Sequence, residues 1–255
     1  MRFDISSARG LLRPVGLAAI RFPRRVVDKF DPTRYHECPC CGELATSFLP
    51  HGVQRRENAR CPRCGSVGRH RLQWLFLRDR TNLLSEPLEV LHFAPETGLQ
   101  RRLKSLPKVR YHGADLKSVR ADEHFDICTI PYPDDSFDVI LCSHVLEHVA
   151  DDRQAMSELF RVMKPGGWGL IEVPFDGKLD ETLEDPSITT DEERIRVYGN
   201  KGHLRKYGRD YPDRLRAAGF EVTTHRYGTE FSPALVERYR LRRTGVVTIC
   251  AKPAR

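Results

Sequence analysis

The sequence lacks any long uninterrupted apolar run. The most apolar stretch near its start, residues 11–22, is broken by Arg13, Pro14 and Arg21. That stretch is too short and too charged to span a bilayer, and it lacks the clean apolar core and small-residue cleavage site of a secretory signal. The sequence therefore predicts no transmembrane segment, and we expect the chain to be cytoplasmic.

The sequence also lacks the polar composition that is typical of disordered chains. Hydrophobic residues make up 40% and charged residues 30% of its 255 residues, which is a globular profile. This length accommodates one α/β domain of ordinary size together with a small module.

Positive charge is concentrated at one end of the chain. Residues 1–80 contain 16 Lys and Arg against 7 Asp and Glu, a charge of +9, whereas the whole chain carries +7. The basic segment of residues 1–32 belongs to this part. A basic third is typical of a nucleic-acid or anionic membrane surface, and equally of a solvated face near an anionic ligand. No run of interleaved aromatic and basic residues indicates a platform for single strands.

Five of the eight cysteines lie close together in the sequence. Two C-x-x-C pairs, Cys38 with Cys41 and Cys61 with Cys64, are each followed by glycine and separated by 19 residues, a spacing typical of four-cysteine zinc sites. Each turn directs two thiolates at one point, and two turns complete the tetrahedron that zinc prefers. We expect a structural zinc ribbon over residues 33–68, with Cys40 pointing away. Disulfides are the alternative and are rare in a cytoplasmic chain.

Strand and helix patterns alternate after the ribbon. Helical spacing of apolar residues runs over 69–85 and again over 99–106, 151–163 and 209–218, and short apolar runs between these predict strands. The predicted strands are 88–94, 109–116, 137–142, 168–173, 220–227 and 246–252. This order predicts an α/β, Rossmann-like, doubly wound and mostly parallel sheet with an antiparallel end strand over residues 69–255, and a ligand at the carboxyl ends of its strands.

Three blocks of sequence resemble a known family. They are DDSFDVIL at 134–141, HVLEHV at 144–149 and ELFRVMKPGG at 158–167. In this order they resemble the class I S-adenosylmethionine-dependent methyltransferases, most closely the group with small-molecule and ubiquinone-pathway O-methyltransferases. The resemblance covers about residues 88–175 well and the remainder loosely. It implies a methyltransferase that uses S-adenosylmethionine as its cofactor.

The resemblance also implies positions for the cofactor. Asp115, at the end of the second strand, should accept hydrogen bonds from the ribose hydroxyls. Asp126 and Ile127 should lie at the adenine, and Ser143 near the methyl-donor sulfur. The usual G-x-G loop is replaced by HFAPETG at 92–98. We expect close backbone approach to the methionine portion there, which makes the following residues candidate cofactor contacts: Phe93, Ala94, Pro95, Glu96 and Gly98.

A histidine after the fourth strand is the candidate catalytic base. Methylation of a hydroxyl requires loss of a proton, and the imidazole of His144 titrates near neutral pH; the alternative is a structural histidine at a helix start. His144, Glu147 and His148 share one face if the segment is helical. Some relatives, including small-RNA 2′-O-methyltransferases, bind Mg²⁺ through Glu-x-x-Glu-His. The resemblance thus allows a second divalent metal here, with His203 as a possible fourth ligand.

Residues 174–208 form a long insertion between the fifth strand and the next helix. Such an insertion can serve as a lid over the site, or it can be a surface excursion. Its final part contains the candidate substrate contacts Arg205 and Tyr207 beside His203.

These features favour O-methylation of a small-molecule or saccharide hydroxyl. One alternative is an RNA methyltransferase that holds RNA through the ribbon and the basic N-terminal third. Another is a zinc-ribbon binding module with an inactive methyltransferase domain. The sequence CSHV at 142–145 stands where RNA-base N-methyltransferases often carry Asn/Asp-Pro-Pro-aromatic, and this argues against that chemistry. The oligomeric state stays open.

Overall fold

The computed structural model describes residues 35–52 and 55–254. The basic segment 1–32, and residues 33–34 of the predicted ribbon, lie outside the described residues. In the part of the chain that is described, no helix is both long and apolar enough to cross a membrane.

The N-terminal part consists of two short antiparallel hairpins. Strand β1 (His36–Glu37) pairs with β2 (Leu44–Ala45), and β3 (Leu49–His51) pairs with β4 (Arg56–Arg60). Each of the two C-x-x-C turns is closed by a backbone hydrogen bond, from Gly42 N–H to Cys38 and from Gly65 N–H to Cys61. Both glycines have positive φ, +77° and +73°, which glycine adopts without steric cost.

A six-stranded sheet forms the centre of the rest of the chain. Its strands are β5 (Leu88–Phe93), β6 (Val109–Ala114), β7 (Phe137–Ser143), β8 (Met163–Glu172), β9 (Glu221–His225) and β10 (Val247–Ala251). The spatial order is β6-β5-β7-β8-β10-β9. The pairs β5/β6, β5/β7 and β7/β8 are parallel, whereas β10 is antiparallel to both β8 and β9. The predicted Rossmann-like sheet is confirmed, and its last two strands form the antiparallel pair.

Helices cover both faces of this sheet. They are α1 (Gly68–Arg80), α2 (Thr97–Lys104), α3 (Asp152–Val162), α4 (Asp191–Tyr198), α5 (Tyr211–Ala217) and α6 (Pro233–Arg238). Side chains of a strand alternate between faces. Val139 and Leu141 accordingly join a core with α1 and α2, while Ile140 and Cys142 join a second core with α3 and α5. The central strands are buried on both faces, which explains their continuous apolar sequence.

The ribbon shares the first of these two cores. Its buried cysteines and Phe48 pack in one cluster with α1, α2 and β5. Arg71 of α1 is fully buried and donates hydrogen bonds to Ala59 and Ser66 of the ribbon and to Tyr239 and Arg240 near the C-terminus. The ribbon is therefore packed into the larger domain along its length.

The Lys164–Gly167 turn is accommodated inside a strand. Phe137 pairs with Met163 of β8, but Val139 pairs with Trp168, so the intervening residues bulge out of the ladder. Gly166 there has φ +77°. The predicted sharp turn and the strand that follows it are both present.

Candidate functional site

The carboxyl ends of the parallel strands meet at one edge of the sheet. Phe93 of β5 lies opposite Ala114 of β6 and Cys142 of β7, and Cys142 lies opposite Ile171 of β8. In open α/β sheets ligands bind in the crevice outside this edge. The loops after these four strands are therefore the place to test the predicted site residues.

The four predicted zinc ligands come together. The Sγ atoms of Cys38, Cys41, Cys61 and Cys64 all lie within 4.8 Å of one another, with 3.6 Å between Cys38 and Cys64 and 3.7 Å between Cys41 and Cys61. A tetrahedral zinc with Zn–S bonds of about 2.3 Å separates its sulfurs by about 3.8 Å. The cluster fits one zinc ion.

Ser66 and Cys40 lie next to the four sulfurs and make different contacts. Ser66 Oγ lies 3.0 Å from the sulfur of Cys38 and can donate a hydrogen bond to a thiolate there. The thiol of Cys40 instead faces the carbonyl oxygen of His70 in α1, at 3.6 Å. Cys40 thus packs the ribbon against α1, and its expected orientation away from the metal site stays a prediction.

The loop after β5 is built around a buried carboxylate that the sequence analysis placed at the cofactor. Glu96 Oε2 accepts a hydrogen bond from His92 Nε2 at 3.1 Å, and Oε1 lies 3.3 Å from His70 Nε2. His92 in turn accepts from Tyr111 Oη at 3.0 Å. Burial alone would raise the pKa of the Glu96 carboxyl, but the hydrogen bond from His92 and the electrostatic interactions with His92 and His70 lower it to about 2. The carboxylate is ionised and held inside the loop.

The other loop residues face different surroundings. Phe93 and Pro95 are buried, and Phe93 packs in the core beside Phe125. Ala94 has a φ of +48°, a left-handed backbone that is uncommon outside glycine and often marks a functional turn. Gly98 lies against the ribbon, because a Cβ there would be 3.1 Å from Cys64 Sγ. The predicted cofactor contacts of this loop stay predictions.

Asp115 follows β6 at the crevice edge. Its Oδ1 accepts hydrogen bonds from the backbone N–H groups of Lys117 and Ser118, at 2.8 and 2.7 Å, which leaves Oδ2 to accept from a ligand. Asp126 is exposed and its Oδ1 caps a turn through the N–H of Cys128, whereas Ile127 is buried. The predicted contacts of Asp115 with ribose and of Asp126 and Ile127 with adenine stay predictions.

Ser143 is part of a polar group below the crevice that the sequence analysis missed. Gln73 of α1 donates to Ser143 Oγ at 3.0 Å and to Glu172 Oε2 at 2.5 Å. Burial raises the pKa of the Glu172 carboxyl. His70 and Gln73 are polar residues that are buried in α1 beside its apolar residues, and no local pattern in the sequence separates them from the other polar residues of this helix.

His144 and Glu147 lie directly after β7. His144 has a φ of +59° and its N–H donates to the carbonyl of Glu172. Its Nδ1 is 3.3 Å from Glu147 Oε1. Glu147 is 1% exposed, and within the described residues neither of its oxygens accepts a hydrogen bond. A buried carboxylate without such a partner is costly unless a cation or proton accompanies it.

Two further histidines approach the same carboxylate. Nδ1 of His148 lies 2.8 Å from the carbonyl of Gly202. Since a carbonyl only accepts, Nδ1 carries the proton and Nε2 keeps its lone pair. His203 Nε2 is 3.9 Å from Glu147 Oε1, and burial lowers the pKa of His203. Ligand atoms of Glu147, His148 and His203 all lie within 4.8 Å of one another.

The insertion reaches this cluster through its backbone. The N–H of Leu204 donates to the carbonyl of Glu147 at 2.8 Å, which places His203 at the crevice. Gly202 lies so close to His148 that a Cβ atom added to residue 202 would be 2.9 Å from His148 Nδ1. These contacts bring together residues that are more than 50 positions apart in the chain.

The structure gives Arg205 and Tyr207 an anchoring role. Arg205 is 1% exposed and donates to the carbonyls of Leu146, Val149 and Ala150. Tyr207 is fully buried, and its hydroxyl donates to Asp152 Oδ2 at 2.7 Å. Neither side chain faces the crevice in this arrangement, so their predicted contact with substrate stays a prediction.

The chain contains a region that matches a family of known proteins. The family model described as a methyltransferase domain matches residues 84–171. This range holds the strands β5, β6 and β7, most of β8, and the segment with His144 and Glu147. Residues 84–171 are therefore similar to a methyltransferase domain, in agreement with the family that the three sequence blocks resemble.

Curated relatives match the same part of the chain. A probable S-adenosylmethionine-dependent methyltransferase of Mycolicibacterium smegmatis is 37% identical over 67 residues, covering 26% of this chain and 24% of the relative. The 27-O-demethylrifamycin SV methyltransferase of Amycolatopsis mediterranei is 34% identical over 116 residues, covering 44% of this chain and 39% of the relative. The matches thus span between a quarter and two fifths of these relatives' lengths.

A solved structure supports the fold. The crystal structure of the [4+2]-cyclase SpnF is similar with a TM-score of 0.52 and 18% sequence identity, over 72% of this chain and 82% of that one. At this identity the likeness concerns the fold alone.

Proposed function

We propose that the chain is an S-adenosylmethionine-dependent O-methyltransferase of a small-molecule or saccharide hydroxyl, acting in the cytoplasm. The observation that carries this proposal is the buried Glu147 carboxylate among three histidines at the carboxyl end of β7. Such a group can take up or stabilise the proton that a hydroxyl loses during methylation. The Amycolatopsis relative is named for an O-demethyl substrate, which supports oxygen as the acceptor atom.

The proposed cofactor site uses the edge formed by β5 and β6. When bound, S-adenosylmethionine supplies a methyl group on a positively charged sulfur. The free Oδ2 of Asp115 is available to both ribose hydroxyls. The positive φ of Ala94 turns the loop backbone at the end of β5, where close approach to the methionine portion is required.

His144 is the proposed base. It lies at the strand end, where residues border the ligand crevice, and it is partly exposed to that crevice. With Nδ1 directed at Glu147, its Nε2 can accept a proton from a hydroxyl, and the carboxylate then stabilises the imidazolium that forms. This division of roles between imidazole and carboxylate follows the pattern of general-base pairs.

A divalent cation at Glu147, His148 and His203 is the second candidate device. Both Glu147 oxygens are without a hydrogen bond in the described ranges, and the carbonyl of Gly202 fixes His148 with Nε2 free. Two imidazoles and one carboxylate suit zinc, manganese or iron(II) better than magnesium, which prefers oxygen ligands. A cation held there would polarise the hydroxyl, and His144 would then be a ligand.

The insertion 174–208 is the proposed lid. Its backbone bond to Glu147 and the position of His203 place its last part beside the crevice. A lid there would exclude water from the reacting groups.

Product formation tests the function directly. Purified protein with S-adenosylmethionine should release S-adenosylhomocysteine when phenolic, alcoholic and saccharide acceptors are supplied, and not when RNA is supplied. Methyl transfer to RNA alone would replace this proposal by the RNA alternative. Cofactor binding without transfer to any of these acceptors would favour the inactive binding module.

Metal content tests the proposed divalent cation at Glu147, His148 and His203 independently of activity. Protein saturated with Mn²⁺ after zinc loading should hold one more metal equivalent than the Glu147→Gln variant, while Glu193→Gln, on an exposed helix, should match wild type. Equal metal content in all three proteins would leave His144 as a general base and remove the second metal.

A further inference from the structure

The ribbon touches the cofactor loop through a metal ligand. A Cβ on Gly98 would lie 3.1 Å from Cys64 Sγ and 3.4 Å from Ser66 Cβ, closer than a side chain tolerates without displacement of its neighbours. Gly98 is the second residue of α2, whose first turn closes the loop after β5. The ribbon thus packs closely against the backbone of the loop, and a side chain at position 98 would press on Cys64.

A second contact joins the ribbon side to the cofactor loop, on the other side of that loop. The helix α1 begins directly after the ribbon, and its His70 lies 3.3 Å from Glu96 Oε1. The other carboxylate oxygen is held by His92 of β5. Glu96 is thus fixed between the helix that leaves the ribbon and the strand that leads into the loop.

Apolar packing makes these contacts part of one body. Leu99, next to Gly98, belongs to the same buried cluster as Cys38, Cys61 and Cys64. Cys40 holds the ribbon against α1 through the carbonyl of His70. A packed interior transmits a displacement, because it leaves few voids to absorb it.

We infer that the zinc ribbon is a positioning element of the cofactor site, so that zinc and S-adenosylmethionine bind cooperatively. This inference rests on the proposed binding of S-adenosylmethionine. Bonds from a zinc ion to all four sulfurs would hold the two C-x-x-C turns at one point, and loss of the ion removes those bonds. Loss of zinc would therefore open the turn that carries Cys64 and release Gly98 and Glu96 from their positions. A ribbon that only docks substrate would leave cofactor affinity independent of zinc.

Thermodynamic linkage makes the inference measurable in both directions. If zinc strengthens cofactor binding by some factor, the cofactor strengthens zinc binding by the same factor. Couplings between sites are typically about 5- to 150-fold. For two sites in direct contact we expect at least about 10-fold.

Zinc transfer from intact wild-type protein to a chelating dye is the experiment. Saturating S-adenosylhomocysteine should lower the equilibrium transfer of zinc by about 10-fold or more. The Gly98→Ala variant should weaken both zinc retention and S-adenosylhomocysteine affinity, because its methyl group enters the space of Cys64. Gly177→Ala is the matched control, since its nearest contact would be an ordinary 3.5 Å, and it should match wild type.

The possible outcomes separate this inference from the proposed function. If wild type binds S-adenosylhomocysteine in a calorimeter but releases zinc equally with and without it, the inference is overturned and cofactor binding stands. If zinc-loaded wild type does not bind S-adenosylhomocysteine, both are overturned. The wild-type comparison needs no substitution, so poor folding of Gly98→Ala does not affect it.

Discussion

Replacing Arg205 by lysine should destabilise the protein strongly. The guanidinium donates to three backbone carbonyls, those of Leu146, Val149 and Ala150, and to Glu184 Oε1 at 2.6 Å. Lysine offers three donors from one point and cannot reproduce this planar fork. Loss of two charge-assisted hydrogen bonds at about 1.5–3 kcal/mol each predicts a loss of about 3–6 kcal/mol in the free energy of unfolding.

Equilibrium urea unfolding of Arg205→Lys measures this loss. The control is Arg209→Lys, since Arg209 is 64% exposed and pairs with Asp180 at the surface; exposed pairs contribute about 0–1 kcal/mol, so its stability should stay near wild type. Wild-type stability in Arg205→Lys together with weakened acceptor binding would refute the anchoring role and favour the predicted substrate contact.

Four further predictions test the remaining assignments. Asp115→Asn keeps an oxygen for the Lys117 and Ser118 cap but loses the free carboxylate, so calorimetry should show about 10- to 100-fold weaker S-adenosylhomocysteine binding; unchanged affinity would contradict the ribose assignment. Metal analysis should find zinc lost in Cys61→Ser and retained in Cys40→Ser, and the reverse would refute the ligand set. Turnover of His144→Ala should fall by about 10²-fold with cofactor still bound, whereas full activity would make His144 a packing residue.

The fourth prediction concerns the pH dependence of the free energy of unfolding. Burial lowers the pKa of His70 from 6.5 to about 4. The unfolded chain then takes up this proton at higher pH than the folded chain, so unfolding free energy should fall by about 2–3 kcal/mol as pH drops from about 6.5 to 4. His70→Gln should flatten that part of a stability–pH curve, and an unchanged slope would show that other groups cause it.

Most of the sheet was predictable because its strands are apolar runs. The run 88–94 became Leu88–Phe93, and 137–142 became Phe137–Ser143. The helix Asp191–Tyr198 was missed although Thr190 and Glu193 form a capping box and Gly199 ends the helix with φ +83°. This helix contains too few apolar residues to give a periodic pattern. Its capping residues alone did not lead to the prediction of a helix.

The site was predictable where one turn contains the residues, and not where folding assembles them. The C-x-x-C turns and the spacing of His144, Glu147 and His148 are local, so their sequence carries the geometry. The role of Gly98 was assigned to the cofactor, whereas its close neighbour is Cys64, 34 positions earlier. Contacts between the ribbon and the loop depend on how two modules pack, which no local pattern encodes.

The charge around the crevice favours a small acceptor over RNA. The ribbon side carries exposed arginines, among them Arg56 and Arg60, which could contact phosphates. The opposite side is the insertion, whose residues 174–193 contain eight Asp and Glu and one Lys, and Asp180 there is 86% exposed. A polyanion lying across the crevice would gain attraction at the ribbon and meet repulsion at the insertion. A compact acceptor does not have to lie across both sides, and this charge distribution supports the proposed transfer to a small hydroxyl compound.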